Sequence, residues 1–517
     1  MKNIIKNTVL LVAFCLSLAS CKKDWLETRP TTSDSVDVLY DMGAAGADMM
    51  ITGINRMRFA NFYANSNNAA YHFYGCGERS TDMMLDCLSG DFLSSGNKMT
   101  PFQEWGMELE FHVARANSIM VSMPWRYYYD VIDQVNNMLF GLDNNLFANM
   151  ETQKNQFDFW RAQALIYRAL SYHRLVQMYG KPVHSNPDAL GVVIKDGISL
   201  EKRGRSTVRE VYKQVIDDLK EAESLLNGSN VVRRDKTLAD VKVVYGLLAR
   251  VYACTHEWDL CEQYANKARA GVPLMSKDDF RQGFSAVNNE WMWASVGPSD
   301  EHQNAPNFFS LISNGTGYPA QWSYSVCVSR ELVEYASASD CRFYGRSASG
   351  EEMAVEFLPE GYDAEYRQIR YNKFFLEGMQ DFSLCYMRGA EMLLLEAEAL
   401  CMRGNYTSAR TLLNELLNAR TNENNLADMV ADGDLLDEVK MQTRMEMWNE
   451  GGLSYLNPKR RGDDIDLTTD DPKICRNGQF PQYNGRLATQ VIHPDDPYMI
   501  WLIPQIETIN NNLIIQN

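Results

Sequence analysis

Two kinds of side chain in this sequence are placed for chemistry of their own: one cysteine and a set of aromatic rings. Cys21 stands directly behind Leu18-Ala19-Ser20. Ahead of it, Lys2 and Lys6 form a positive n-region, and Thr8 to Leu18 is an almost unbroken apolar run. Such a run is too short to span a bilayer and reads as a signal peptide. Leu18-Ala19-Ser20-Cys21 resembles a bacterial lipobox. Small residues fit the peptidase pocket, the thiol takes a diacylglyceryl thioether, and cleavage frees the Cys21 amine. Residues 1–20 are therefore expected to be removed and Cys21 to be lipidated. Each buried methylene contributes about 0.8 kcal/mol, and two or more acyl chains hold a soluble body on a membrane. Lys22-Lys23-Asp24 places charge immediately behind that anchor.

The rings gather in two stretches rich in Asn, Gly and Ser, residues 60–118 and 285–388. Loops of that length inside an ordered protein are usually functional. Trp105 lies in the first. Trp291 and Trp293 lie in the second, spaced to share one face of a short strand. Tyr318, Trp322 and Tyr324 follow in a Gly/Asn/Pro-rich segment. A neutral oligosaccharide offers apolar C–H faces and a rim of hydroxyls, which proteins hold with aromatic platforms and a few fixed polar groups. These six rings are the candidate glycan platforms, Trp105 and Trp322 foremost. Trp291 and Trp293 suit a core equally well. Trp160, Trp258, Trp448 and Trp501 fall on helical stretches or the C-terminal tail and are read as core.

Catalysis has little support. The sequence has no GxSxG, HExxH, P-loop or GxGxxG motif, and its seven His lack ligand spacing. A glycosidase carboxylate pair is defined by separation in space, so sequence leaves a helical glycoside hydrolase as an alternative. Asp463, Asp464 and Asp466 form a weak Ca2+ candidate, without EF-hand spacing, and read mainly as a solvated acidic loop. No cofactor is implied. The formal net charge is −17, and loss of Lys2 and Lys6 with the signal takes it to −19. A body this acidic repels phosphate backbones, which argues against nucleic acid as partner. Of eleven Cys, Cys15 leaves with the signal and Cys21 takes lipid. The odd remainder, without CxxC pairs, implies at most one or two disulfides, with Cys76 and Cys87 the nearest loop pair.

The elements that position these residues are helical. Ala162, Leu165, Ala169, Tyr172, Val176 and Tyr179 step by three and four, and Gly180-Lys181-Pro182 follows as a stop. Val211, Val215, Leu219, Ala222 and Leu225 mark a second helix, ending at Asn227-Gly228. Leu247–Ala268 and Leu395–Leu416 resemble each other: helix, tight turn, an aromatic (Trp258, Tyr406), then a helix with small inward residues (Cys261, Ala409). That is tetratricopeptide-like patterning, and it leaves a peptide-binding scaffold as another alternative. The fold class is mainly α: a tetratricopeptide-like scaffold of helical pairs with long irregular insertions.

Several segments resemble the SusD/RagB family. Trp160–Tyr172 with Gln177–Val183 looks like its first long helix and turn, and Tyr212–Leu226 and Ala249–Tyr252 like the helices that follow. Arg388–Ala399 (RGAEMLLLEAEA) resembles its RxAEvLLxxAEA helix. Arg444–Gly451 (RMEMWNEG) resembles its RxxElxxEG segment, with Lys459-Arg460-Arg461 behind it. Leu502-Ile503-Pro504-Gln505 with Glu507, Asn510, Leu513, Gln516 and Asn517 is similar to its ending. The likeness runs from Cys21 to Asn517, as one helical body over 21–517. Asn457-Pro458 and the early acidic run Asp463-Asp464-Ile465-Asp466 depart from the pattern. Membership implies four tetratricopeptide-type helix pairs and a lipid anchor in the outer membrane at the cell surface. It also implies capture of oligo- or polysaccharide and a TonB-dependent outer-membrane barrel as partner. The family layout places the aromatic arc in the two insertions and makes Arg79 and Asp82 candidate hydroxyl partners.

Overall fold

The computed structural model describes residues 36–59, 77–95, 115–195, 197–297, 307–313, 325–346, 352–354, 356–357, 369–376, 381–468, 491–494 and 496–517. Cys21, Cys76, Trp105, Tyr318, Trp322 and Tyr324 lie outside the described residues. The remainder is mainly helical. The long helices are α1 (Val36–Asp41), α2 (Ala44–Met57), α3 (Gly77–Ser89), α4 (Ile119–Asp143), α5 (Lys154–Tyr179), α6 (Val208–Gly228), α7 (Val241–Thr255), α8 (Trp258–Arg269), α9 (Gly389–Met402), α10 (Tyr406–Arg420), α11 (Leu435–Glu446) and α12 (Leu453–Arg461).

Helix α5 is the axle. It packs between α4 and α6, so its buried residues run round most of its circumference and not along one stripe. Gln163 is fully buried and reads the Ala239 backbone as a strand would, donating to its carbonyl at 2.8 Å and accepting from its N–H at 2.9 Å. The end of α5 is closed by a cation. Lys459 Nζ donates to the carbonyls of Gln177 (2.6 Å) and Met178 (3.2 Å), where the helix dipole is negative. Gly180 does follow this helix, but in extended backbone at φ −110°. Glycine is required there because a Cβ would lie 2.8 Å from the Val176 carbonyl oxygen. Helix α6 opens on a reciprocal cap between Thr207 and Glu210 and runs to Gly228.

The two similar segments are the hairpins α7–α8 and α9–α10. Their turns use a left-handed residue at matching places, His256 (φ 58°) and Gly404 (φ 74°). Cys261, Ala265, Ala409 and Leu413 are fully buried where paired helices approach. Although far apart in sequence, the hairpins meet: α8 packs on α9, with Arg269 Nε on Glu396 (2.5 Å) and Asn266 donating to the same carboxylate (3.0 Å). Helix α12 continues through Asn457-Pro458; Asn457 accepts from Arg460 Nε at 2.8 Å. The departure from the family pattern there leaves the helix whole.

Residues 60–118 are not simply loop, because they contain α3. Its polar run Glu78-Arg79-Ser80-Thr81-Asp82 is buried in full, each charge paired inside the protein. Residues 285–388 contribute strands β2 (Trp291–Gly297) and β6 (Phe382–Arg388), which pair antiparallel with a bulge near Trp293. Between them lie β3 (Ser325–Val328), β4 (Glu356–Phe357) and β5 (Ile369–Arg370). These join β1 (Phe92–Ser95) from the first insertion in one four-stranded sheet, ordered β1-β3-β5-β4.

A buried charge cluster holds the second insertion to α10 and α11. Arg388 donates to Glu290 (2.8 Å), Glu446 (2.6 Å) and Glu450 (2.8 Å). Arg420 donates to Glu446 (2.8 Å) and Glu290 (3.3 Å). Arg342 pairs with Asp340 (2.6 Å) and reaches Glu446 (3.5 Å). Lys373 donates to Glu450 (2.6 Å) and to the carbonyls of Glu446 and Trp448. Four cations thus face four carboxylates. Burial by itself pushes Glu446 up, yet the Arg420 and Arg388 guanidiniums hold it well below the usual carboxylate range. Glu450, shared by Arg388 and Lys373, is held at about 2 against the same burial.

Removing one partner from such a cluster strands a charge where water cannot reach. Glu446→Ala is expected to cost about 3–5 kcal/mol. A shift of the urea midpoint checks this; a midpoint within error of wild type contradicts it.

Candidate functional site

The two insertions meet edge to edge. Phe92 pairs with Val328 at one end of the β1–β3 ladder, and Ser95 with Ser325 at the other. The segment carrying Trp105 follows Ser95. The segment carrying Tyr318, Trp322 and Tyr324 precedes Ser325. Both therefore join the sheet at the same end, at cross-strand neighbours about 5 Å apart. This convergence is the principal geometric fact about the candidate rings.

Trp291 and Trp293 are not part of that surface. Both are buried, at 1% and 0% exposure. The Arg58 guanidinium lies over the Trp293 ring at 3.9 Å, Tyr167 packs against it at 5.4 Å, and its Nε1 donates to the Thr237 carbonyl. A ring covered in this way has no face for a sugar. The bulge beside Trp293 and the burial of β2 on both sides defeat the simple alternation that put these rings on an open face.

Arg79 and Asp82 are likewise interior, each 2% exposed. Arg79 donates to the Asn449 carbonyl (2.5 Å) and to Asp82 (3.3 Å), and its guanidinium lies over the Phe308 ring. Asp82 also receives Arg174 at 2.7 Å. Both are thus held inside the fold and line its central cavity, away from the outer surface. Among the other tryptophans, Trp448 and Trp501 are buried, while Trp160 and Trp258 are half-buried against the core.

The acidic run does not converge on one point. Asp463 receives Arg461 (2.6 Å) and Lys440 (3.2 Å), Asp464 lies 2.9 Å from His493, and Asp466 accepts from Thr468. Among the described residues no three His, Cys, Asp or Glu side chains are arranged to hold a metal ion. The seven described cysteines, Cys87 included, are free thiols. No described helix is long and apolar enough to cross a membrane.

A cavity of about 60 Å3 lies between α3, α5, α7, α9 and α12, where Asp82, His173, Arg174, Arg250, Glu391 and Arg460 share the lining with Leu170, Met387, Leu394 and Leu456. Glu391 is taken by Arg250 (2.6 Å) and Glu398 by Arg460 (2.5 Å), so these carboxylates serve as structural anions. A more open groove of about 550 Å3 runs between α4, residues 193–203 and the C-terminal segment. Leu200 (97% exposed) and Ile506 (56%) line it, and Ile509 and Leu513 are exposed on that same segment.

With the architecture defined as a helical-pair scaffold whose two arms share a sheet, its relatives can be placed. The family described as "Starch-binding associating with outer membrane" matches residues 68–253, and the SusD family matches residues 366–517. The chain belongs to the SusD family. A SusD-like carbohydrate binding protein from Bacteroides vulgatus is similar over 91% of this chain and 97% of its own, at 22% identity and a TM-score of 0.72. A SusD superfamily protein from Bacteroides thetaiotaomicron gives 92% and 99%, 21% identity and 0.72. Another from Bacteroides fragilis gives 92% and 99%, 18% identity and 0.68. At these identities the likeness establishes the fold. No curated protein matches the chain.

The family motifs now have physical roles. Arg388, Glu446 and Glu450 are centres of the buried charge cluster, and Glu391 and Glu398 are partners of Arg250 and Arg460. Asn517 donates to the carbonyls of Tyr179 (3.1 Å) and Trp501 (2.6 Å), and Gln516 brackets the Ile503 backbone. Every one of these residues builds the scaffold.

His173 lines the cavity, and burial, reinforced by Arg250, Arg174 and Arg460, pushes it down to about 3 from 6.5. The folded protein keeps it neutral while the unfolded chain takes up a proton below pH 6.5, so folding loses stability as pH falls from 6.5. Glu398 and Glu450, held near 2 against 4.5, extend that loss below pH 4.5. His173→Gln is expected to flatten the slope of Tm against pH from 6.5 down to about 3, leaving below 4.5 the part of the fall that the carboxylates cause. An unchanged slope between 6.5 and 4.5 contradicts the assignment.

Proposed function

We propose that this protein is a non-catalytic glycan-capture lipoprotein of the outer membrane. In this reading the segments bearing Trp105 and Tyr318, Trp322 and Tyr324 form one aromatic surface. A sugar's apolar face stacks on the rings while its hydroxyls take polar neighbours. The observation that carries the reading is the pairing of Ser95 with Ser325, which brings both ring-bearing segments to one end of one sheet. Membership of a family described as starch-binding supports the ligand class, as does the name of the Bacteroides vulgatus relative.

Lipid on Cys21 would tether the body at the cell surface, and the captured glycan would pass to a TonB-dependent barrel. Passage requires a protein contact, and the aliphatic rim of Leu200, Ile506, Ile509 and Leu513 offers surface suited to burial in one. The structural pairing of the carboxylates around the central cavity favours binding over hydrolysis.

The lipid-free protein is expected to be retarded by a soluble polysaccharide in affinity electrophoresis without releasing new reducing ends. Trp322→Ala should weaken that binding by about 1–3 kcal/mol and leave Tm nearly unchanged. Unchanged affinity with a lowered Tm would place the ring in the core instead. Release of reducing ends that one Asp or Glu substitution abolishes would make the protein a hydrolase.

A further inference from the structure

The cavity between α3, α5, α7, α9 and α12 is lined by polar groups left unsatisfied among the described residues. His173 lines it at 3% exposure, and its Nδ1 has no hydrogen-bond partner. Arg79 lines it too, and its Nε is likewise unpartnered. Arg250 meets Glu391 and the Tyr386 carbonyl through Nε and Nη2, which leaves Nη1 over. The guanidiniums of Arg250, Arg174 and Arg460 all act on the His173 ring. A buried donor without an acceptor carries its full desolvation cost.

The charges around the same space do not balance. Arg58 pairs with Glu78 (2.7 Å), Arg250 with Glu391 (2.6 Å) and Arg460 with Glu398 (2.5 Å). Asp82, by contrast, serves both Arg174 (2.7 Å) and Arg79 (3.3 Å). Five guanidiniums therefore share four carboxylates. Glu450 also lines the cavity but is committed to Arg388 and Lys373. Asp86 accepts from the Asn449 N–H at 2.7 Å, and burial, with Asp91 and Asp82 alongside, pushes its carboxyl well up, so it does not make good the shortfall. The carbonyls of Asn449 and Gly451 accept from Arg79 and Arg174, but a dipole does not cancel a charge. Leu170, Met387, Leu394 and Leu456 complete the walls, and an uncompensated charge in such surroundings is costly.

We propose that this cavity binds one small monovalent anion, chloride in physiological salt, against His173 and the Arg250 guanidinium. The anion supplies the missing negative charge and accepts the spare N–H groups. The site is independent of glycan capture. The net charge of −17 opposes anion entry at long range. Salt screens that repulsion beyond about 8 Å, so the guanidiniums of the lining decide the local balance.

Bromide is the probe. A crystal of the lipid-free chain grown in sodium bromide is expected to show an anomalous peak inside the cavity, beside His173. Cavity density without anomalous signal, or bromide confined to the outer surface, overturns the proposal. In solution, sodium gluconate is exchanged for sodium chloride at constant ionic strength. Tm is expected to rise saturably with the chloride fraction, as it does for any ligand that binds only the folded state. A Tm that stays level or falls overturns the proposal. His173→Phe keeps a ring and removes both nitrogens, and Arg79→Met restores one carboxylate per guanidinium. Each should lose most of the chloride-dependent rise, while Leu416→Ala, buried in the α10 core, keeps it in full. A rise that survives undiminished in either folded cavity variant overturns the site. If neither variant folds, the wild-type bromide map and salt exchange decide.

Discussion

Everything in this fold depends on keeping a set of full charges balanced out of contact with water. Arg388, Arg420, Arg342 and Lys373 face Glu290, Glu446, Glu450 and Asp340 in the buried interior. Desolvating such groups is costly, and only close, multiply hydrogen-bonded geometry offsets it. That condition makes the cluster a specifier of topology. Glu290 opens β2, Arg388 ends β6, Asp340 and Arg342 lie between them, Arg420 closes α10, and Glu446 closes α11. A chain path that misplaces one of these segments leaves a bare charge inside. Apolar packing alone would tolerate several such paths.

The same segment that closes the cluster also organises the arms. Directly after Glu446, Trp448 reaches β1 and the stretch following β5, and Lys373 enters from that stretch to cap the Glu446 and Trp448 carbonyls. The rigid scaffold and the sheet that presents the ring-bearing segments are therefore continuous. Sites carried on loops gain precision when their roots are fixed to such a frame. The helical pairs supply the frame, and the buried polar segment at 444–450 transmits it to the edge.

Much of the scaffold was legible in the sequence. The three-and-four spacing from Ala162 to Tyr179 marks a helix, and the likeness between Leu247–Ala268 and Leu395–Leu416 marks two hairpins that the structure packs together. The family motifs were visible as patterns of Arg and Glu, but their role was not, because Arg79 meets Asn449 across 370 residues and Arg174 meets Asp82 across 92. A charged run such as Glu78–Asp82 looks like a solvated loop until its partners are known. Trp291 and Trp293 were ambiguous for a related reason. Period-two spacing fixes the relation of two side chains to each other only on a regular strand, and a bulge with burial on both faces erases it. The pairing of Ser95 with Ser325 is a long-range register that no local pattern announces.

The central claim is that two arms rooted in one sheet form one sugar-binding surface. A crystal structure of the lipid-free protein with a bound oligosaccharide tests it most directly. The account predicts sugar density beyond the Ser95–Ser325 end of the sheet, in contact with a ring from each of the two segments that leave there. Density held by one segment alone, or lodged instead among the helical pairs, would contradict it.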